Sequence, residues 1–132
     1  MLEEGEKMNN RNILITGAKM VLPTGIVTGD LRITDGVISE ISTDANIEPN
    51  EGELVHDATG LHLLPGIIDP QVHFRDPGQP EKEDLQSGSC AAASGGVTSF
   101  LDMPNNVPSQ TTLQSMYNKL ETASNSCVTN YG

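Results

Sequence analysis

Basic residues are scarce in this 132-residue sequence: seven Lys and Arg stand against 18 Asp and Glu, for a formal charge of −11. Nucleic acids and anionic membranes both attract a positive field, so this balance excludes them as partners. Long apolar runs are missing too. Nothing approaches the ~20 residues needed to span a bilayer, and the opening MLEEGEKMNN is too polar for a signal peptide. Residues 1–11 are expected to form a mobile arm. Cysteine is limited to Cys90 and Cys127, without C-x-x-C spacing. That pattern points to reduced, structurally inert thiols in a cytoplasmic protein, not to a disulfide framework.

What the sequence does contain, over residues 12–65, is a series of short β-branched and apolar segments. Asn12–Thr16, Lys19–Leu22, Leu31–Thr34 and Val37–Ile41 predict strands, and Asp35-Gly36 is a two-residue hairpin signal. Residues 42–52 are polar, contain Pro49 and Gly52, and predict a loop. Leu54-Val55 and Leu61–Leu64 predict two more strands around Ala58-Thr59-Gly60. A small β domain follows. His56 and His62 lie in it without partners at ligand spacing, and they read as ordinary strand or surface residues.

After Pro65 the pattern becomes strand, helix, strand, helix, strand, which implies βαβ units and a parallel sheet. Ile67, Ile68 and Val72 follow the Pro65-Gly66 break and predict a buried strand. Residues two apart on a strand share a face, so Gln71, His73 and Arg75 project together while Val72 and Phe74 oppose them. Polar side chains at the C-terminal end of a strand are where a (β/α) barrel keeps its active site. Alone, the same residues read as a solvated edge. A helix is predicted from about Asp84 to Ser94, with acidic residues in its first turn and Gly95-Gly96 as its stop. Those glycines follow a helix and precede a strand, the wrong order for a phosphate loop. A second helix starts near Thr111, where Thr111 and Gln114 have capping-box spacing. Leu113, Met116, Tyr117 and Leu120 form a stripe expected to pack in the core. Cys127–Tyr131 predicts a third strand.

Four stretches carry a resemblance: LLPGIIDPQVHFRDPG (Leu63–Gly78), Glu81-Lys82-Glu83-Asp84, the small-residue run Ser87–Gly96, and VTSFLDMPNN (Val97–Asn106). As a set they resemble the N-terminal portion of dihydroorotases, cyclic amidohydrolases of the metal-dependent amidohydrolase superfamily. The resemblance runs from about Asn12 to the last residue. It implies an α/β protein with a small N-terminal β-sandwich domain over 12–65, which the family completes with strands from the other chain end. Residues 66–132 would then begin a (β/α)8 TIM-type hydrolase barrel, supplying two β/α units and a third strand. A closed barrel takes eight units and about 250 residues, so the whole protein is expected to be roughly three times longer, and this chain alone inactive.

The resemblance also implies chemistry. Dihydroorotases reversibly open the ring of L-dihydroorotate to N-carbamoyl-L-aspartate in de novo pyrimidine biosynthesis. Zinc, as one or two ions, polarises the scissile carbonyl and generates hydroxide at neutral pH. The family carries Asp-x-His-x-His at the end of its first barrel strand; here the pair is Gln71 and His73. His73 is the expected metal ligand. Gln71 holds the other ligand position, and its neutral amide is a poorer zinc ligand than imidazole. Asp69 either orients His73 or serves as a strand end. Arg75 and Asn105 correspond to substrate-binding residues, Arg75 through a two-pronged pair with the substrate carboxylate. Their alternatives are a surface salt bridge from Arg75 to Asp76 or Glu81, and a turn role for Asn105 beside Pro104. The general base and the remaining ligands are expected beyond Gly132. Two other readings stay open: a catalytically inactive, dihydroorotase-like binding or assembly subunit, and an allantoinase or hydantoinase-type enzyme, whose uncharged rings offer Arg75 no carboxylate. Expected partners are a carboxylate-bearing small molecule, a second copy in a homodimer, and a pyrimidine-pathway complex. An open sheet edge favours such association.

Overall fold

The computed structural model describes residues 12–132; the arm expected at 1–11 lies outside them. The chain divides into two compact units, one ending at Leu64 and the other spanning Pro65–Gly132.

The first unit is one five-stranded sheet built from β1 (Ile13–Leu22), β2 (Gly25–Thr34), β3 (Val37–Ser42), β4 (Leu54–Asp57) and β5 (His62–Leu63). Its order is β3-β2-β1-β4, with β5 also pairing β1. Of the β-sandwich domain expected over 12–65, which the resemblance leaves incomplete, the described residues form this one sheet. The hairpins on β1 and β2 are antiparallel, whereas β4 and β5 run parallel to β1. Asp35 and Gly36 both have positive φ, 51° and 81°, as a tight primed turn requires. Two predicted strands prove to be one. β1 runs through Gly17, where a bulge between Ile15 and Ala18 interrupts the register, and Gly17 has a φ of 66°. β2 also begins earlier than expected, because Pro23 and Thr24 turn the chain straight back onto β1.

Leu14, Ala18 and Met20 alternate along β1 and are buried. Asp30 is buried beside them, and its carboxylate is satisfied by backbone. Gly17 N–H donates to Oδ1 at 2.8 Å and Ile47 N–H to Oδ2 at 3.0 Å. One side chain therefore ties the bulge and the 43–52 loop to β2, which offsets its desolvation. Arg32 pairs with Glu53 at 2.9 Å and with Glu40.

The second unit alternates β6 (Ile67–Val72), α1 (Leu85–Ser94), β7 (Val97–Asp102), α2 (Leu113–Ser126) and β8 (Asn130–Tyr131). Its three strands form a parallel sheet in the order β6-β7-β8. Asp84 is the N-cap of α1 and accepts the Ser87 N–H at 2.6 Å, so the first turn itself holds no acidic residue. The capping box of α2 is Thr112 with Ser115, one residue beyond the expected pair. Cys127 caps α2 and does not open β8. No helix among the described residues is long and apolar enough to cross a membrane.

Phe74, Leu85, Phe100 and Ala123 form the core of this unit, flanked by Val72 and Cys127. The expected core stripe of α2 holds for Met116 and Leu120 and is corrected at Leu113 and Tyr117. Leu113 and Tyr117 are 76% and 64% exposed, and Met116 and Leu120 are less so. The side of α2 that faces Leu85 and Phe100 carries Met116, Lys119, Leu120 and Ala123, which line a cavity with them. Ala123 allows close approach there and an ion pair satisfies Lys119, so the packed side is not purely apolar.

Candidate functional site

β6 and β7 are neighbours that end together, with Val72 opposite Asp102. Their C-terminal loops consequently emerge side by side. Burial alternates beyond the strand end: Gln71, His73 and Arg75 are exposed, Val72 is half-buried and Phe74 is buried. Phe74 packs edge-on against Phe100, ring centroids 4.8 Å apart at 79°. That anchor turns the polar residues on either side of it outward.

His73 and Asn105, 32 residues apart in sequence, meet at 3.0 Å between Nδ1 and Oδ1. An amide oxygen only accepts, so the neutral ring carries its proton on Nδ1 and keeps the Nε2 lone pair free. The same contact leaves the Asn105 Nδ2 group to donate elsewhere. Arg75 is fastened through its backbone, its N–H to Glu83 O and its carbonyl to Gln79 N–H. Among the described residues its guanidinium has no ion pair, whether with Asp76, with Glu81 or with any other carboxylate. Asp69 accepts the Gln71 N–H at 3.1 Å. No hydrogen bond joins it to His73 among the described residues; Asn105 orients that ring.

Sequence reasoning missed the groups beneath this face. Asp102 ends β7 with one oxygen accepting the Phe74 N–H at 3.1 Å and the other accepting Lys119 Nζ at 2.6 Å. Asn106 donates from Nδ2 to Phe74 O at 2.9 Å and to Asp76 O at 3.2 Å. Its Oδ1 accepts from the same Lys119 ammonium at 2.5 Å. The two loops also touch directly, through Val107 N–H to Pro77 O at 3.3 Å. Gly78, at a φ of +116°, leaves room for that contact: a Cβ there would lie 2.2 Å from Val107 O. The available signal was an aspartate at a strand end followed by two asparagines.

A zinc site takes three or four nitrogen, sulfur or carboxylate donors. No three His, Cys, Asp or Glu side chains gather at such a distance among the described residues. His73 is the one imidazole between Pro65 and Gly132, and Gln71 beside it offers a neutral amide. These residues do not by themselves fit a zinc ion.

A model of the amidohydrolase family matches residues 62–130, which is more than half of the chain. The chain belongs to the amidohydrolase family. It is 35% identical over 126 residues to an allantoinase from Desulfitobacterium hafniense (strain Y51), covering 95% of this chain and 27% of that protein. It is also 35% identical over 121 residues to a dihydroorotase from Methanosarcina mazei, covering 92% of this chain and 26% of that protein. Among solved structures, the L-hydantoinase (dihydropyrimidinase) from Arthrobacter aurescens matches with a TM-score of 0.81 at 27% identity, over 92% of this chain and 27% of that chain. The chain thus spans about a quarter of the length of the relatives it matches. The paired loop ends lie at the C-terminal ends of the parallel strands β6 and β7.

Proposed function

We propose that the protein is a dihydroorotase, a hydrolase of a cyclic amide that interconverts L-dihydroorotate and N-carbamoyl-L-aspartate in pyrimidine biosynthesis. The observation that carries this reading is Arg75, an exposed guanidinium without an ion-pair partner among the described residues, beside His73 and Asn105. A planar guanidinium grips a carboxylate through two parallel hydrogen bonds. Dihydroorotate brings such a carboxylate, whereas the rings of allantoin and hydantoin do not. The relatives' names divide between these substrates, so the discrimination rests on the arginine. Asn105 would add a donor from Nδ2 to the bound ring while its oxygen holds His73 in one tautomer.

Zinc, as one or two ions, belongs to the same proposal, since the family is generally metal-dependent and His73 presents a free Nε2. Its remaining donors would come from outside the described residues.

The test is loss of the ring-amide absorbance of dihydroorotate with the full-length gene product purified in zinc. Arg75→Ala is expected to lower kcat/KM about 10- to 100-fold, since a charge-assisted hydrogen bond contributes about 1.5–3 kcal/mol. Turnover of allantoin or hydantoin that ignores Arg75→Ala would move the protein to those enzymes. A folded product without turnover on any of the three rings would leave the reading that Gln71 favours, a silent binding or assembly subunit.

A further inference from the structure

We propose that Lys119, on the buried face of α2, is a positioning residue that sets the orientation of His73 and Arg75. The inference deepens the reading above, and its geometry stands on a closed ring of hydrogen bonds. Starting from the Phe74 N–H, the ring passes to Asp102, to the Lys119 ammonium, to Asn106, and back to the Phe74 carbonyl. Both backbone groups of Phe74 are therefore held by side chains, and those two side chains share one cation. Phe74 lies between His73 and Arg75. Fixing its two peptide planes fixes the direction from which both neighbours leave the backbone, while its ring is locked against Phe100.

The ring reaches the second loop as well. Asn106 adjoins Asn105, whose oxygen meets His73, so the Lys119 contact to Asn106 Oδ1 orients the residue next to the His73 acceptor. Lys119 Nζ is the only donor shared by the two halves of this clamp among the described residues. The side chains of Lys119 and Asp102 are only 10% and 3% exposed. In that dry setting the pair is weakly screened and held in one geometry. Lys119 itself touches neither His73 nor Arg75, so its effect passes through Phe74 and Asn106.

The experiment compares Lys119→Met, Lys119→Arg and Asn106→Ala in the full-length gene product. The readout is the imidazole 15N signals of His73 at constant pH, followed beside the thermal midpoint and the kcat and KM for dihydroorotate. Displaced His73 ring signals are expected in Lys119→Met and Asn106→Ala, with wild-type signals in Lys119→Arg, which keeps the cation. The kcat is expected to fall about 10- to 100-fold, the cost of reacting groups misplaced by about 1 Å. Wild-type ring signals in both folded variants would overturn the proposal. Should Lys119→Met fail to fold, Asn106→Ala decides by the same signal, because it leaves the Asp102 pair intact. If the wild type turns over no dihydroorotate, the functional reading fails, and the ring signals still decide the role of Lys119.

Discussion

Truncating Phe100 to Ala is expected to destabilise the second unit by about 3–5 kcal/mol, the usual cost of removing a buried ring. Phe100 is 2% exposed at the centre of the Phe74, Leu85 and Ala123 cluster. Its edge-on contact with Phe74 adds about 0.5–1.5 kcal/mol beyond simple burial. Phe100 also lines an existing cavity of about 110 Å³ together with Leu85, Lys119 and Ala123. Loss of the ring widens a gap there, and the lining offers little to fill it, so the upper half of the range applies. With a urea dependence of about 2 kcal/mol per molar, the unfolding midpoint by circular dichroism should fall by about 2–2.5 M. Phe100→Leu keeps most of the apolar volume and loses the ring pair, so it should cost about 1–1.5 kcal/mol. Tyr117→Ala, on the exposed side of α2, serves as the control and should stay within about 0.5 kcal/mol. A Phe100→Ala midpoint no lower than that of Tyr117→Ala would refute the placement of the core.

Gly78→Ala should destabilise by about 1–3 kcal/mol, because the positive φ and the contact with Val107 O both oppose a Cβ; an unchanged melting temperature would contradict the packing of the two loops. Thr112→Ala removes the N-cap of α2 and should cost about 1 kcal/mol in urea unfolding, with Thr111→Ala near zero. Hydrogen bonds from Arg32 hold the Glu53 carboxyl below its usual range. A carboxyl depressed in the folded state stabilises above its unfolded value of about 4.3 and loses that contribution as pH falls through the folded one. The stability gap between wild type and Glu53→Gln should therefore shrink from about pH 6 to about pH 3, and a gap independent of pH would show that the pair is irrelevant to folding.

The parts of the fold legible in the sequence are those governed by local rules. Asp35-Gly36 turns as its φ requirement dictates, and the β-branched run after Pro65-Gly66 becomes β6. Outward projection of Gln71, His73 and Arg75 follows from a period of two. What stayed illegible depends on contacts between distant residues. The apolar stripe on α2 has the right period, and Met116 and Leu120 do face the core, but the same side also holds Ala123 and a lysine. A charged residue mid-helix reads as exposed until its partner Asp102, 17 residues away, is known. The His73 contact with Asn105 has no local signature either, since only the parallel pairing of β6 and β7 joins the loops that carry them.

Gln71 and Arg75 flank His73 and pull the functional reading in opposite directions, and the geometry bears on each differently. The Asp69 carboxylate accepts the Gln71 N–H whatever side chain position 71 carries, so the backbone there does not depend on the amide. The recognition side is more demanding. His73 and Asn105 meet, and Arg75 leaves the backbone beside them, above a clamp that consumes two buried ionic side chains and both backbone groups of Phe74. A buried ion pair is a poor source of stability compared with an apolar pair of the same shape, so its presence beneath these three residues is better explained by the orientation it imposes than by the folding energy it contributes. A surface kept only for assembly gains nothing from one tautomer of His73 or from a guanidinium without an ion pair among the described residues. Both features are what recognition of a small carboxylate-bearing ring would require, and on the proposed reading this is why Arg75 outweighs Gln71.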